Sequence, residues 1–223
     1  EHVIENHGPL GTLYPQLAFI MEGDTPSFLG LIDNGLGWSV SPAYGGWGGR
    51  YTLMQPPGEP RPIWTNDGVR TADAVLLDGE MVKSDQATIW RYREQFQHDF
   101  AARMNWCVAD SYAKANHNPV AVLNGDRTKR VLTLHARPGS TVSLSSAGSS
   151  DPDRNTARAT WWIYNEAGTL GVPATLGDTA GASTTVKIPE TRTPGTVHVI
   201  LQVEDDGEPR LVSYRRAVIE VRP

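Results

Sequence analysis

The second half of the chain is a series of short segments in which apolar and polar residues alternate. Between Val197 and Val203, for example, every second side chain is apolar, as expected of a strand with one buried face. Sequences rich in glycine, proline and aspartate, such as "RPGS", "SSDPDRN" and "DDGEP", separate the segments and are typical of turns. Seven such segments, the first beginning at Val120, predict a sandwich of antiparallel strands.

The number and spacing of these strands favour an all-β sandwich of the immunoglobulin-like type. The chain has a single cysteine, Cys107, so no internal disulfide can join the strands. A sandwich without that bridge depends on its aromatic core, and we expect Trp161 or Trp162 to be the central aromatic residue.

The first half has loops, aromatic residues and one clear helix. Apolar residues recur every three or four positions over residues 85–106, and Ser84 is a good N-cap, so a helix is predicted there. A shorter helix is predicted after Asp24, and mostly loop is predicted for residues 38–79. The first half, with its loops and helices, and the strand-rich second half meet at "ADSYAKANHNPVA". We interpret this segment as a linker between residues 1–115 and residues 116–223.

The charge balance excludes some classes of partner. The formal net charge is −5, acidic residues outnumber basic ones in the first half, and the two nearly balance in the second. Neither half has the basic surface of a nucleic-acid-binding protein, so no nucleic acid is expected as a partner. No apolar stretch approaches the roughly 20 residues of a membrane span, so no membrane is expected either. The acidic first half would suit a neutral ligand or a cation.

The sequence "EGDTP" offers a carboxylate at the start of the predicted shorter helix. Gly23 lets the backbone turn, and Asp24 is then well placed to ligate a metal ion or to accept a hydrogen bond from a sugar. The alternative is that Asp24 belongs only to the helix cap.

The sequence "GGWGGRY" places Trp47 on a backbone with few side chains around it. An exposed indole could stack on a sugar ring, while Arg50 and Tyr51 could hydrogen-bond to its oxygens. The alternative is that the glycines let Trp47 fill the core, because large aromatic side chains are usually buried.

The sequence "ENHGPLG" follows a predicted short strand near the start of the chain. Asn6 and His7 would then lie at a strand end, where open α/β sheets bind ligands, and His7 could act as an acid or base. The alternative is a solvated or structural histidine. Asp151 and Asp153 of "SSDPDRN" could bind calcium, although such sequences more often form turns stabilised by aspartate side chains.

Together, "NHGPLG", "MEGDTPSFL", "GGWGGRY", "FQHDFAARMNWC" and "SSDPD…WWIYNEAGT" resemble, in this order, a bacterial family of cellulose-binding proteins. That family combines a nucleoside-hydrolase-like domain with a C-terminal immunoglobulin-like domain. The resemblance implies that residues 1–115 are the C-terminal part of an α/β domain and that residues 116–223 are the sandwich. It also implies a periplasmic or extracellular location and a preceding segment of the α/β domain that contributes acidic residues.

The resemblance implies a site as well. In nucleoside hydrolases, acidic residues hold calcium, which binds the ribose hydroxyls and the attacking water, and Asp24 resembles one of those acids. Asp24 and His7 are then the candidate catalytic residues, Asp24 the candidate Ca²⁺ ligand, and Asn6, Trp47, Arg50 and Tyr51 the candidate substrate-binding residues. The family's usual His-Asp-Pro motif is Gly-Asp-Thr-Pro here, so the residue directly before Asp24 is a glycine and not a histidine.

Three hypotheses follow. The complete protein hydrolyses an N- or O-glycosidic bond, or it binds carbohydrate without cleaving it, or the sandwich is a structural module that packs on the first domain. Little or no catalysis is expected from this chain alone, because part of the implied metal site would come from outside it.

Overall fold

A computed structural model describes residues 24–223, with the backbone alone for residues 24–27. Strands account for more of these residues than helices do, so the fold is β-rich. The described helices are α1 Asp24–Leu31, α2 Ala87–Arg91 and α3 Arg93–Val108. The described strands are β1 Thr52–Met54, β2 Ile63–Thr65, β3 Asp73–Leu77, β4 Glu80–Ser84, β5 Leu132–Ala136, β6 Thr141–Ser145, β7 Arg158–Ile163, β8 Thr175–Leu176, β9 Ser183–Lys187, β10 Gly195–Glu204 and β11 Val212–Val221.

Strands β5 to β11 form two sheets that face each other. One sheet has the order β5-β11-β10-β7, and the other has the order β6-β9-β8. Strands β10 and β11 pair antiparallel over their whole length, as the alternating sequence predicts. The prediction that every strand is antiparallel is wrong for β5, which runs parallel to β11. These two strands are far apart in the chain, so no hairpin fixes their relative direction.

The strand boundaries differ from the prediction in two other places. The segment beginning at Val120 was expected to be a strand, but it makes only isolated bridges, Val120 with Ser150 and Leu123 with Asp126. The short strand β8 pairs with β9 and was not predicted.

The space between the two sheets holds the larger hydrophobic core. Trp161 on β7 is almost completely buried there, and its indole nitrogen donates a hydrogen bond to the carbonyl oxygen of Gly181 at 2.9 Å. Trp162 projects to the opposite face of β7, because successive strand residues point to opposite sides of a sheet. Trp161 is therefore the central core aromatic residue. Buried side chains from both sheets surround it, including Leu144, Val186, Val199, Leu201 and Ile219.

The first part of the chain is more structured than predicted. The region expected to be mostly loop contains the antiparallel hairpin β1–β2, whose strands the proline-rich "QPPGEPRP" connects, and the first strand of a second hairpin, β3–β4. Within residues 24–115 the strands form only these hairpins, so the parallel sheet of an α/β domain does not lie among the described residues.

The long predicted helix is two helices that meet at Tyr92, where the backbone leaves helical geometry (φ −107°, ψ 9°). The ring of Tyr92 is buried, with its centroid 5.8 Å from that of Tyr214 on β11. None of the helices in residues 24–223 combines the length and the apolar character needed to cross a bilayer.

The first part packs on the outer face of the four-stranded sheet, where a second hydrophobic cluster forms. That cluster combines Leu29, Leu36, Trp47, Tyr92 and Phe96 from the first part with Tyr164, Ile200, Val212 and Tyr214 from the sandwich. The segment interpreted as a linker also takes part in packing. The side-chain amide of Asn116 is buried and donates hydrogen bonds to Asp205 Oδ2 at 3.0 Å and to the Pro209 carbonyl at 2.9 Å.

Candidate functional site

The side chains of three predicted site residues lie outside the described part of the structure. Asn6 and His7 lie outside the described residues. Asp24 is the first residue of α1, one position earlier than predicted, but its side chain is outside the described part of the structure. The predicted roles of these residues in catalysis, substrate binding and calcium binding therefore stay predictions.

Trp47 lies inside the molecule. Its side chain is 1% exposed, and its ring contacts Phe96 and Tyr214 in edge-on geometry, with centroids 6.4 and 6.3 Å apart. The expectation of an exposed indole face that stacks on sugar is wrong for this arrangement, because protein covers the ring. The glycines serve packing instead: a Cβ at Gly45, whose φ is +73°, would lie 2.3 Å from the hydroxyl oxygen of Tyr164.

Arg50 is also engaged within the protein. It is 6% exposed, and its Nε donates a hydrogen bond to Asp73 Oδ1 at 2.6 Å. Its terminal nitrogens donate to the carbonyls of Arg70, at 2.8 Å, and Ala72, at 3.5 Å. The predicted role of Arg50 as a sugar ligand is therefore not supported, because these donors already have partners.

Tyr51 is half-buried beside the Trp38 ring, with centroids 6.3 Å apart. Burial raises the pKa of its hydroxyl. Tyr51 is the only one of the three predicted contacts in "GGWGGRY" that keeps substantial solvent exposure.

Asp73 is the centre of a buried polar network that sequence analysis missed. Its carboxylate is fully buried and accepts hydrogen bonds from Arg50 and from the hydroxyls of Thr88 and Tyr164. Tyr164 follows β7, so this carboxylate joins the first part of the chain to the sandwich. Burial raises the pKa of the Tyr164 hydroxyl well above its usual range, so that hydroxyl stays protonated and can donate. The network is sealed from solvent and holds the two parts together.

A second buried group on the same interface is the guanidinium of Arg216 on β11. It donates to the carbonyls of Leu36, at 2.6 Å, and Gly45, at 2.9 Å, and lies 3.0 Å from His198 Nδ1. Burial lowers the pKa of His198 to about 3, and the Arg216 charge adds to this effect. The imidazole is therefore neutral at physiological pH and can accept a hydrogen bond from Arg216.

The "SSDPDRN" sequence forms a turn that its own side chains stabilise. Asp151 Oδ1 accepts hydrogen bonds from the backbone nitrogens of Asp153, at 2.8 Å, and Asn155, at 3.0 Å. Among residues 24–223, no group of three or more His, Cys, Asp or Glu side chains is arranged to hold a metal ion. The described residues thus do not by themselves form the implied calcium site.

Three aromatic side chains lie on the outside of the described structure: Phe28 on α1, which is 64% exposed, and two more, Trp64 and Tyr112. Trp64 on β2 is 43% exposed and pairs across the hairpin with the exposed Leu53. Tyr112, in a short 3₁₀-helix, is 61% exposed, and its ring is parallel to that of His117 with centroids 3.5 Å apart. Sequence analysis overlooked both, since Tyr112 lies in the predicted linker and Trp64 in the predicted loop. The sequence feature that could have identified them is a large aromatic residue with polar residues close by in the chain.

Two hollows can be described in this part of the structure. One cavity of about 20 Å³ lies beside His198 and Tyr164, too small for a pyranose. An open depression of about 470 Å³ lies at the far end of the sandwich, where His135, Arg137 and Glu220 line it. It has no tyrosine or tryptophan in its lining.

Comparison with known protein families identifies the class of protein to which this chain belongs. The model of the C-terminal domain of cellulose-binding protein Sde0182 matches residues 141–221. The nucleoside hydrolase-like domain of cellulose-binding Sde182 matches residues 1–51. The class is therefore that of proteins with a nucleoside hydrolase-like part followed by this C-terminal domain. The chain belongs to the Sde0182 family of cellulose-binding proteins, which confirms the resemblance drawn from its motifs.

A solved structure supports the same assignment. It is a nucleoside hydrolase-related hypothetical protein from Saccharophagus degradans, described as associated with carbohydrate metabolism. The sequences are 34% identical, and the TM-score is 0.80 over 100% of this chain and 53% of that chain. The chain thus spans about half the length of that protein.

More distant structures match in part. The PKD domain of the KIAA 1837 protein is 16% identical with a TM-score of 0.29, over 41% of this chain and 81% of that one. A mouse clustered protocadherin, PcdhgC3, is 19% identical with a TM-score of 0.29, over 47% of this chain and 33% of that one. Scores this low carry no argument. No curated protein sequence matches the chain significantly.

Proposed function

We propose that this chain belongs to a protein that binds carbohydrate or a glycoside. We further propose that the described part of the chain contacts the glycan through an exposed aromatic side chain. The observation that carries the proposal is the match of both ends of the chain to a family of cellulose-binding proteins. Flat aromatic rings suit this ligand, because they cover the apolar face of a sugar while their polar edges stay hydrated.

The packing of the first part supports an external binding surface. Trp47 and Arg50, the residues expected to hold a sugar, are committed to the core and to Asp73. Tyr112, in contrast, is exposed. The acidic balance of the chain favours a neutral glycan over a phosphorylated or sulfated one.

The proposal is tested with the whole protein. Sedimentation with insoluble cellulose and gel retardation by soluble β-glucans would measure binding, with serum albumin as the non-binding control. We expect the protein to be depleted from solution by at least one of these glycans. If it stays in solution with cellulose and migrates unchanged through every glucan gel, the proposal is wrong.

For the whole protein we also propose hydrolysis of an N- or O-glycosidic bond at a calcium site that includes Asp24. Asn6 and His7 would lie at its rim, and residues 1–115 would be the C-terminal part of the α/β domain, with the remaining acidic ligands coming from the rest of that domain. This chain alone would be inactive. Asp24→Ala should abolish calcium binding in calorimetric titration of the whole protein, whereas Asp33→Ala, an exposed aspartate nearby, should leave it unchanged.

A second candidate function is structural, and the buried interface favours it. In this hypothesis residues 116–223 are an immunoglobulin-like sandwich that only supports the first domain through the Trp47 cluster and the Asp73 network. The protein would then bind no glycan on the described surface. Binding that is insensitive to every exposed aromatic substitution in residues 24–223 would favour this hypothesis. We further propose a periplasmic or extracellular location, which fractionation of the producing cells would test.

A further inference from the structure

We propose that the outer face of Tyr112 is a carbohydrate-binding subsite that stacks on a neutral pyranose ring of a β-glucan. This inference rests on the proposed carbohydrate-binding function and names the residue that contacts the ligand. It gives a role to the segment between the two parts of the chain.

Tyr112 is the outermost ring of an aromatic stack. Its ring and that of His117 are 3.5 Å apart with an interplanar angle of 2°. The His117 ring in turn lies parallel to Trp106, at 5.5 Å and 7°. Although His117 covers one face of Tyr112, the residue remains 61% exposed. The opposite face of the ring is therefore open to solvent.

Hydrogen bonds hold the rings beneath Tyr112 in place. The backbone nitrogen of His117 donates to Asp153 Oδ2 at 2.7 Å, and its ring Nδ1 lies 3.1 Å from the same oxygen. The Trp106 indole nitrogen donates to the Asn116 carbonyl at 2.7 Å. A platform that is already ordered loses less conformational freedom when it binds a ligand, which favours affinity.

Polar groups around the platform suit sugar hydroxyls. Lys114 and Asp110 form an exposed ion pair, with 2.7 Å between Nζ and Oδ2, one on either side of Tyr112 in sequence. Partial burial raises the pKa of the Tyr112 hydroxyl, and the charges of Asp153 and Asp151 add to this effect. Those two carboxylates are thus close enough to the ring to act on it electrostatically. Their negative charge would repel an anionic sugar such as a uronate.

The geometry at Tyr112 differs from that at Trp64. The side chain of Trp64 lies on a two-stranded hairpin, opposite the exposed Leu53, and makes no ring stack like that of Tyr112 among the described residues. Tyr112 combines one open aromatic face with charged neighbours, which is the mixed apolar and polar character that a sugar ring requires. Trp64 is therefore the matched control for an exposed aromatic residue without that setting.

The test compares Tyr112→Ala, Tyr112→Phe and Trp64→Ala in the whole protein. Retardation by a soluble β-glucan and titration with a cello-oligosaccharide would give the dissociation constants. We expect Tyr112→Ala to weaken binding about tenfold or more, which corresponds to about 1.4 kcal/mol. Tyr112→Phe keeps the ring and should retain binding within about threefold, a change of less than 1 kcal/mol. Trp64→Ala should behave like wild type.

The outcomes separate the two proposals. If wild type binds and Tyr112→Ala binds equally well, this subsite is wrong while the carbohydrate-binding function stands. If wild type binds no glucan, both are wrong. A change in oligomeric state of Tyr112→Ala by size exclusion, with glucan binding intact, would identify the ring as a contact between copies and overturn the subsite. Should Tyr112→Ala fail to fold, the ring signals of Tyr112 in wild-type NMR spectra decide: the cello-oligosaccharide must shift them, and unchanged signals at saturation overturn the proposal.

Discussion

The substitution Asp73→Asn tests whether the two parts of the chain are held together by the buried network. The change keeps the shape of the side chain but removes its negative charge. Arg50 Nε, now 2.6 Å from Asp73 Oδ1, would keep its charge and would remain inside the protein. Arg91, whose nearest nitrogen lies 3.9 Å from Asp73 Oδ2, would also lose a favourable interaction.

The size of the effect follows from the burial of the pair. The Arg50 and Asp73 side chains are 8% and 0% exposed, and removing one partner of such a pair typically costs about 3–5 kcal/mol. Arg50 keeps its carbonyl partners at Arg70 and Ala72, so we expect the lower end, about 3 kcal/mol. For a protein of this size that corresponds to a fall in Tm of about 6–12 °C.

Thermal and chemical unfolding followed by circular dichroism and tryptophan fluorescence would measure this loss. The matched control is Asp110→Asn, which makes the same chemical change in the solvent-exposed pair with Lys114 and should leave Tm nearly unchanged. If Asp73→Asn and Asp110→Asn both unfold at the same temperature and denaturant concentration as wild type, the network does not stabilise the fold and the reasoning is wrong.

Two further predictions concern the same interface. The pKa of His198 is lowered from 6.5 to about 3 in the folded protein, so at acidic pH the unfolded state binds a proton more readily than the folded state. The free energy of unfolding should therefore fall as the pH drops from about 6.5 towards 3, by up to about 1.4 kcal/mol per pH unit. Urea unfolding between pH 7 and pH 5 should show this loss in wild type and less of it in His198→Gln; parallel pH profiles would contradict it. Gly35 has φ +93°, and a Cβ there would lie 1.8 Å from the Tyr214 carbonyl oxygen, whereas Gly58 has φ +82° and open space. The fall in Tm should therefore be much larger for Gly35→Ala than for Gly58→Ala, which has only the backbone cost of about 1–2 kcal/mol. Equal falls in Tm would show that the protein relieves the close contact at Gly35 without loss of stability.

The sequence predicted the strands of the sandwich well because their signal is local. Alternation in β10 and the turn residues around it reflect a buried face, whatever packs against that face. The direction of β5 is not a local property, since it depends on pairing with β11, which is far along the chain. Three-residue strands such as β1 are too short to show alternation, so the first hairpin could not be separated from the proline-rich loop.

The candidate site was harder to predict, because its residues are defined by distant partners. The neighbours of Trp47 in sequence allow either an exposed indole or a buried one, and Tyr214, which covers the ring, is far along the chain. Arg50 similarly forms a hydrogen bond with Asp73, a residue outside its own motif, and not with a ligand. Tyr112 could be recognised only from its exposure and from the parallel His117 ring, neither of which the residue types reveal.

The position of Arg216 limits how this C-terminal unit can be reused in evolution. Two of the acceptors for its guanidinium, the carbonyls of Leu36 and Gly45, come from the preceding part of the chain. A gene fusion that moved residues 116–223 onto an unrelated protein would leave a charged and aromatic face without its complement. We therefore expect the two parts to be inherited together, and an isolated descendant of the unit to have lost the arginine at this position.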